Sequence, residues 1–292
     1  MSASASASES AIAAPRRARN LSGVIGGSLV ALVVVTALVS YVWTPFDAAR
    51  IAAADRLLGP LTDGHLLGTD PFGRDLLSQI MVGARTTLQV GVIAVAIALV
   101  AGVPLGGLAA MRGGWLDELL MRGADVMYAF PAVLMALMFA AAFGPSTWTA
   151  MTAIGVAFTP VFARVTRGAS LQVRERDFVT AARSYGRGRL YVFVRHVLPN
   201  ISSILIVQAS ISFALAILAE AALSYLGFGT QPPTPSWGRM LKEAQTFLTL
   251  EPNLAVWPGL VIALAVLGFN LLGDGLRDAL DPKLVERSGV GN

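Results

Sequence analysis

The sequence predicts an all-α membrane protein of six transmembrane helices with both termini in the cytoplasm. Three observations lead there. The 292 residues are 55% hydrophobic and only 14% charged, with a mean hydropathy of +0.65, whereas soluble domains carry roughly 25% charged residues. The apolar residues gather in six stretches of the length scale set by a hydrocarbon core of about 30 Å. The basic residues fall unequally on alternate connecting segments.

The elements follow in order. Residues 1–20 open with the low-complexity run MSASASASESAIAA, which cannot bury a core and reads as a flexible cytoplasmic tail, ending in Arg16, Arg17 and Arg19. The first span covers 21–43. It is too long for the apolar region of a signal peptide, and Val42-Trp43-Thr44-Pro45 is no cleavage site. Residues 44–83 hold Pro45, Gly59, Pro60, Gly64, Pro71 and Gly73 and read as an extracytoplasmic loop with a short helix around 47–57. A core of five further spans fills 84–275, near Thr86–Met111, Asp125–Phe143 with a kink at Pro131, Trp148–Ala163, Val197–Leu226 and Val256–Leu272. Between them lie a basic loop over 164–196 and a Pro/Gly-rich loop over 227–255, and a polar cytoplasmic tail occupies 276–292. Of the 22 Lys and Arg, 16 fall on the side of the termini and six on the other, which places the termini in the cytoplasm. Trp43, Trp148, Trp237 and Trp257 sit near the outer boundary, where an aromatic belt is expected.

Composition excludes several kinds of chemistry. There is no cysteine, so disulfides, thiolate metal sites and thiol nucleophiles are absent. His65 and His196 are the only histidines, too few for a His-rich metal centre. Neither Lys242 nor Lys283 follows a glycine, so the chain has no phosphate-cradling Gly-Lys-Ser/Thr loop. No catalytic residue, cofactor or metal is expected in this chain; if ATP is used, another subunit binds it, with its Mg. The net charge of +4 is read as membrane topology and contact with membrane lipid, not as nucleic-acid binding.

The most informative segment is DFVTAARSYGRGRLYVFVRHVLPN, residues 177–200. Ala181, Ala182 and Gly186 give a small surface that another backbone can approach, and Gly186 suits a helix C-terminus. By composition alone it is a basic loop against lipid headgroups. The ordered pattern Thr180-Ala181-Ala182, then Gly186, then His196-Val197-Leu198-Pro199 resembles the EAA loop of ABC importer permeases, with Thr180 where a glutamate is usual. The resemblance implies a coupling helix seated in an ATPase subunit, contacting it through Asp177, Thr180, Ala181, Ala182, Arg183, Tyr185 and Gly186. Three further groups narrow it: residues 65–85 (HLLGTD, GRD, GAR), 220–227 (EAALSYLG) and 232–238 (PPTPSWG). With Arg195–Asn200 they resemble the C-type permease subunit of dipeptide and oligopeptide importers over about residues 65–284. The resemblance implies a type I importer fold, a second permease as heterodimer partner, two ATPase domains and an extracytoplasmic peptide-binding protein.

Other polar groups have open assignments. Glu220, near the outer end of its span, is either a gate paired across a subunit interface or an anchor for the 227–255 loop. Gln208, Ser212 and Asn270 line the translocation path or hydrogen-bond between helices. Asp70, Arg74, Trp237 and Arg239 are candidates for docking the binding protein, while Asp70 and Arg74 with Asp75 and Arg85 could instead form a solvated ion-pair cluster. Gly23/Gly27 and Gly102/Gly106 are read as helix-packing pairs. The function expected is a permease subunit of an ATP-driven importer of dipeptides or oligopeptides in the bacterial inner membrane. The alternatives are the same machinery carrying nickel or another small solute, an ion-coupled secondary transporter centred on Glu220, and a membrane scaffold.

Overall fold

The computed structural model describes residues 16–280, with side chains from Leu21 onward. Residues 1–15 of the tail expected at the N-terminus and the last twelve residues of the C-terminal tail lie outside the described residues, while residues 16–20, expected in the flexible tail, open the first helix. The elements are α1 (Arg16–Val42), α2 (Leu76–Arg112), α3 (Gly114–Ala129), α4 (Ala132–Phe143), α5 (Thr147–Arg174), α6 (Asp177–Ser184), α7 (Arg189–Val192), α8 (Leu198–Leu226), α9 (Trp237–Ala244) and α10 (Asn253–Leu280). A π turn over Phe193–Val197 joins α7 to α8. Among the described residues there is no sheet, only two isolated bridges, Thr62 to His65 and Thr69 to Asp75.

Five helices are long and apolar enough to cross a membrane: Leu21–Val42, α2, α5, the joined stretch Arg189–Leu226, and α10. The sixth crossing is the pair α3–α4, bent by 85° at Phe130-Pro131. Proline removes an N–H and pushes the residue before it out of helical geometry, and Phe130 sits at φ −85°, ψ 126°. The expected kink is therefore a break. Contacts show that the broken pair spans the bundle. The end of α2 meets the end of α5, where Arg174 Nη1 donates to the Ala110 carbonyl at 2.7 Å. The start of α5 lies at the opposite end, with Thr147 Oγ1 3.4 Å from Thr230 Oγ1 and Thr86 of α2 donating to the Pro235 carbonyl at 3.2 Å. Only α3 and α4 connect these two ends. The end where residues 44–75 and 227–252 gather is called the cap below, and the end carrying α6 the elbow.

The helices outrun the apolar windows. At about 1.5 Å per residue, the 37 residues of α2 extend about 55 Å. It begins ten residues before the expected Thr86 because Asp75 caps it, accepting from Ser78 N at 2.7 Å. Likewise α5 continues eleven residues past Ala163, so the basic segment 164–196 is mostly helix and not loop. Hydropathy marks where the chain leaves hydrocarbon; a helix stops only where capping or geometry stops it.

The centre of the bundle is the contact of α2 with α5, which depends on glycine. A Cβ at Gly106 would fall on the Ala163 carbonyl, and one at Gly102 would stand 2.7 Å from the Thr159 carbonyl. Val95, Ala98, Phe162 and Ile201 pack around this seam. The α1–α10 contact uses Gly23 against Gly275 and Gly26 against Leu271 and Leu272. Gly27, expected in the seam, has open space around its Cβ position instead. Replacing Gly106 by Val should cost about 3 kcal/mol or more, since a backbone carbonyl cannot step aside, whereas Gly27→Val should stay within about 1 kcal/mol. Thermal stability of the two variants in mild detergent checks this.

Candidate functional site: the elbow helix and the buried cap

At the elbow, α6 is a short helix held by one deep contact. Asp177 lies in its first turn, where a negative charge complements the helix N-terminus. Val179 is fully buried among Val173, Val192, Phe193 and Val197, and Ala182 is half-buried beside it. The remaining residues of the expected coupling set, Asp177, Thr180, Ala181, Arg183, Tyr185 and Gly186, are all exposed. The helix ends as its sequence suggests. Gly186 adopts φ +74°, a left-handed conformation that costs a side-chain-bearing residue roughly 1–2 kcal/mol, and its N–H bonds the Arg183 carbonyl at 2.9 Å. Partial burial, and then the like charges of Arg174 and Arg189, push the Arg183 guanidinium below its ordinary pKa. The exposed surface of α6 thus sets the small Thr180 and Ala181 beside the larger Arg183 and Tyr185, and the helix is fastened from behind by Val179.

Next to it, α3 is clasped to α5. Arg167 Nη2 donates to Asp117 at 2.7 Å, and Arg164 pairs with Asp125 while lying 4.6 Å over the Tyr128 ring. The helix that precedes the break is therefore tied to the helix that leads into α6.

In mid-bundle the expected path residues do not converge. Gln208 Nε2 donates to Ser212 Oγ at 3.2 Å within α8, and Ser212 is buried inside the chain. Asn270 is exposed on α10 and donates back to the Val266 carbonyl at 3.0 Å. Each bonds within its own helix, and no hydrogen bond among the described residues joins the α8 pair to Asn270.

Glu220 is 1% exposed. Its Oε1 accepts from Ser224 Oγ at 2.6 Å and Thr230 Oγ1 at 3.3 Å, and Ser224 Oγ in turn accepts from Thr230 N at 3.0 Å. No cation pairs with it among the described residues. Through Oε1, Glu220 ties the chain leaving α8 to the top of the bundle, while its buried Oε2 has no hydrogen-bond partner.

The docking candidates turn inward. Arg74 Nε bonds Asp70 at 2.6 Å, and its Nη2 reaches Glu243. Glu243 also holds Arg239 at 2.8 Å, and Gln79 Nε2 donates to Asp70 at 3.0 Å. Asp70 and Arg74 are buried, and Trp237 is 2% exposed with its Nε1 donating to the Ile80 carbonyl at 3.0 Å. These three cannot present a docking face as expected, because their polar atoms close the cap internally. Of the four, Arg239 alone is partly accessible. The expected solvated cluster divides: Asp70 and Arg74 are buried together, Asp75 is buried beside His65, and the half-buried Arg85 donates to Ser40 Oγ; Trp237 leaves the expected belt, while Trp43 and Trp148 stay exposed. Reading the sequence missed Glu243, although its i+4 spacing from Arg239 is a helix-pair signal, and missed Val179 as the internal anchor of α6. His65, stacked on Phe46 and 2.9 Å from Asp75, is likewise a cap residue.

Because Glu220 holds the post-α8 segment, Glu220→Ala should free the Ser224 and Thr230 groups at a cost of about 1–3 kcal/mol. Hydrogen exchange over residues 227–236 should rise, while exchange at the elbow stays unchanged.

Comparison with known proteins agrees with this architecture. Residues 102–286 match the family described as binding-protein-dependent transport system inner membrane component. The chain is 41% identical over 266 residues to the dipeptide transport system permease protein DppC of Alkalihalophilus pseudofirmus, covering 91% of this chain and 87% of that one. It is 40% identical over 261 residues to the glutathione transport system permease protein GsiD of Pectobacterium atrosepticum, covering 89% and 87%. Its fold matches an inward-facing structure of the MetNI methionine ABC transporter with a TM-score of 0.58 at 16% identity, covering 70% of this chain and 96% of that one. This is a family of transport permeases and not of catalytic enzymes. The chain belongs to the binding-protein-dependent inner-membrane transport family, as a multi-pass ABC importer permease with the type I importer fold.

Proposed function

We propose that the chain forms half of the membrane path of an ATP-driven importer of dipeptides or oligopeptides, with a second permease completing the path. The relatives support the cargo class: one carries dipeptides by its name and another glutathione, which is itself a small peptide. In this reading the elbow faces the cytoplasm, in keeping with the 16-to-six distribution of basic residues. Both termini share that side. Two ATPase domains, which hold the ATP and Mg, dock beneath it, and a peptide-loaded binding protein docks on the cap. This chain performs no covalent chemistry.

The observation that carries the reading is α6, a helix with Thr180, Ala181, Arg183 and Tyr185 exposed and Val179 fixed inward. A protein partner that moves on closing around ATP can push such a helix without detaching it. The push enters α5 and α8, and the path alternates between outward and inward access. On the cap, the partly accessible Arg239 and the exposed Pro232, Pro233 and Thr234 offer the binding protein a stiff surface. The buried Asp70, Arg74 and Trp237 hold that surface in place. Gln208 on α8 and the exposed Asn270 on α10 reach the path only where the second permease closes over them, and Ser212, buried within the chain, acts there through its bond to Gln208.

Two measurements test this. The complex purified with its natural partners should contain ATPase subunits and a second permease, and hydrolysis should rise when peptide-loaded binding protein is added. A chain that transports under an ion gradient without ATPases would refute it. Gly186→Val adds a side chain that meets nothing within this chain, so beyond about 1–2 kcal/mol of local strain its effect reports on the partner. Stimulated hydrolysis and uptake should both fall at least tenfold, while the complex still forms.

A further inference from the structure

The link between α6 and the long span α8 is not a plain helix. Between Arg189 and Leu226 the chain runs as one rod of 38 residues, interrupted by the π turn Phe193–Val197, where Leu198 N–H bonds the Phe193 carbonyl five residues back. The local cause is Pro199. In an α-helix its N–H would bond the Arg195 carbonyl, but proline has none and its ring crowds that oxygen. The chain takes up one extra residue there, and Asn200 Nδ2 closes on the His196 carbonyl at 2.7 Å.

The π turn changes which side chains face together. Around an α-helix, residues five apart point about 140° away from each other, and only i+3 and i+4 neighbours meet. Here two i+5 pairs are aligned. Val192 and Val197 are both fully buried in the cluster that also holds Val179 of α6. Tyr191 and His196 make an edge contact with ring centroids 5.9 Å apart, and His196 lies 6.4 Å from the Phe178 ring of α6. Phe193, at the start of the turn, presses on Gly107 of α2, where no Cβ would fit. The pairs that join α6 to α8 are therefore those that the extra residue brings together.

We propose that the π turn sets the rotational register between α6 and α8, and that Pro199 is a positioning residue for the coupling of ATP hydrolysis to transport. The proposal rests on the reading of α6 as the ATPase contact. With Pro199 the elbow is held in the π register, where Val179 and Phe178 find Val197 and His196. Without it the segment relaxes to the α register, and α7 turns by about 100° relative to α8, taking Tyr191 and Val192 off the face where they meet His196 and Val197 and so loosening the seat of Phe178 and Val179. A force applied to α6 then no longer enters α8 along the same face.

The test exploits the absence of cysteine. Spin labels at Tyr185→Cys and Arg112→Cys report the distance from the end of α6 to the end of α2 in the purified permease. Transport per ATP hydrolysed is measured separately in the unlabelled complex with its partners. Pro199→Ala, which returns a helix hydrogen bond and so does not threaten the fold, should shift the label distance by several ångströms. It should also lower transport per ATP at least fivefold, with hydrolysis persisting. Combining Pro199→Ala with deletion of Val194, an exposed residue of the turn, removes the extra residue and should bring distance and coupling back to within about twofold of wild type. Wild-type distance and coupling in Pro199→Ala would overturn the proposal, as would a defect that the deletion leaves uncorrected. The label distance does not depend on cargo. If loaded binding protein fails to stimulate the wild-type complex, the peptide-importer reading fails while the register is still decided.

Discussion

The structure depends first on the approach of α2 and α5 to backbone distance. Gly102, Gly106 and Gly155 stand where the two helices come closest and a Cβ would not fit; in a bilayer, where lipid is as apolar as any side chain, such close packing is what holds helices together. The seam fixes the far end of α5 against the far end of α2, where Arg174 holds the Ala110 carbonyl. From that point the chain has only two residues before α6 begins. The position of the exposed helix is thus set by glycines on another helix.

The opposite end is organised differently. The cap buries Trp237, Met240 and Ala244 of α9 against Leu76, Ile80 and Leu254, and it also closes around charge, with Asp70, Arg74, Glu243 and Arg239 in one chain of contacts from the first loop to α9. Burying ions costs several kcal/mol each unless every partner is supplied, and Gln79 with backbone N–H groups of Phe72 and Arg74 supplies the rest to Asp70. Glu220 performs the same service for the segment after α8. A cap built this way is stiff, which suits the docking role proposed for it.

Much of the architecture was legible in the sequence because its signals are local or compositional. The apolar windows, the glycine pairs at 102 and 106, the turn at Gly186 and the break at Pro131 each follow from the residues at those positions. The severity of that break, an 85° bend, does not, since it depends on α3 being tied to α5 by Arg164 and Arg167 across about forty to fifty residues of sequence. The lengths of α2 and α5 were equally hidden, because hydropathy is silent once a helix leaves the hydrocarbon. For the site, the exposed residues of α6 came from the family resemblance that the ordered segment carries. Asp70, Arg74 and Trp237 were given the wrong surroundings, because a charge or an indole in a Pro/Gly-rich segment looks the same whether it faces solvent or its own fold.

By itself, then, the sequence determined that the chain is a bundle of membrane-crossing helices with a small-residue helix between its fourth and fifth crossings. Composition and short-range spacing suffice for that: helix formation, proline breaks and glycine contacts act over a few residues. Only the tertiary structure decided which polar groups are turned inward, which end of α6 is fastened, and that Pro199 brings i+5 neighbours onto one face. Those outcomes depend on partners brought near from distant parts of the chain, and the free energy of burying a charge or rotating a helix is set by those partners, not by the residues beside it.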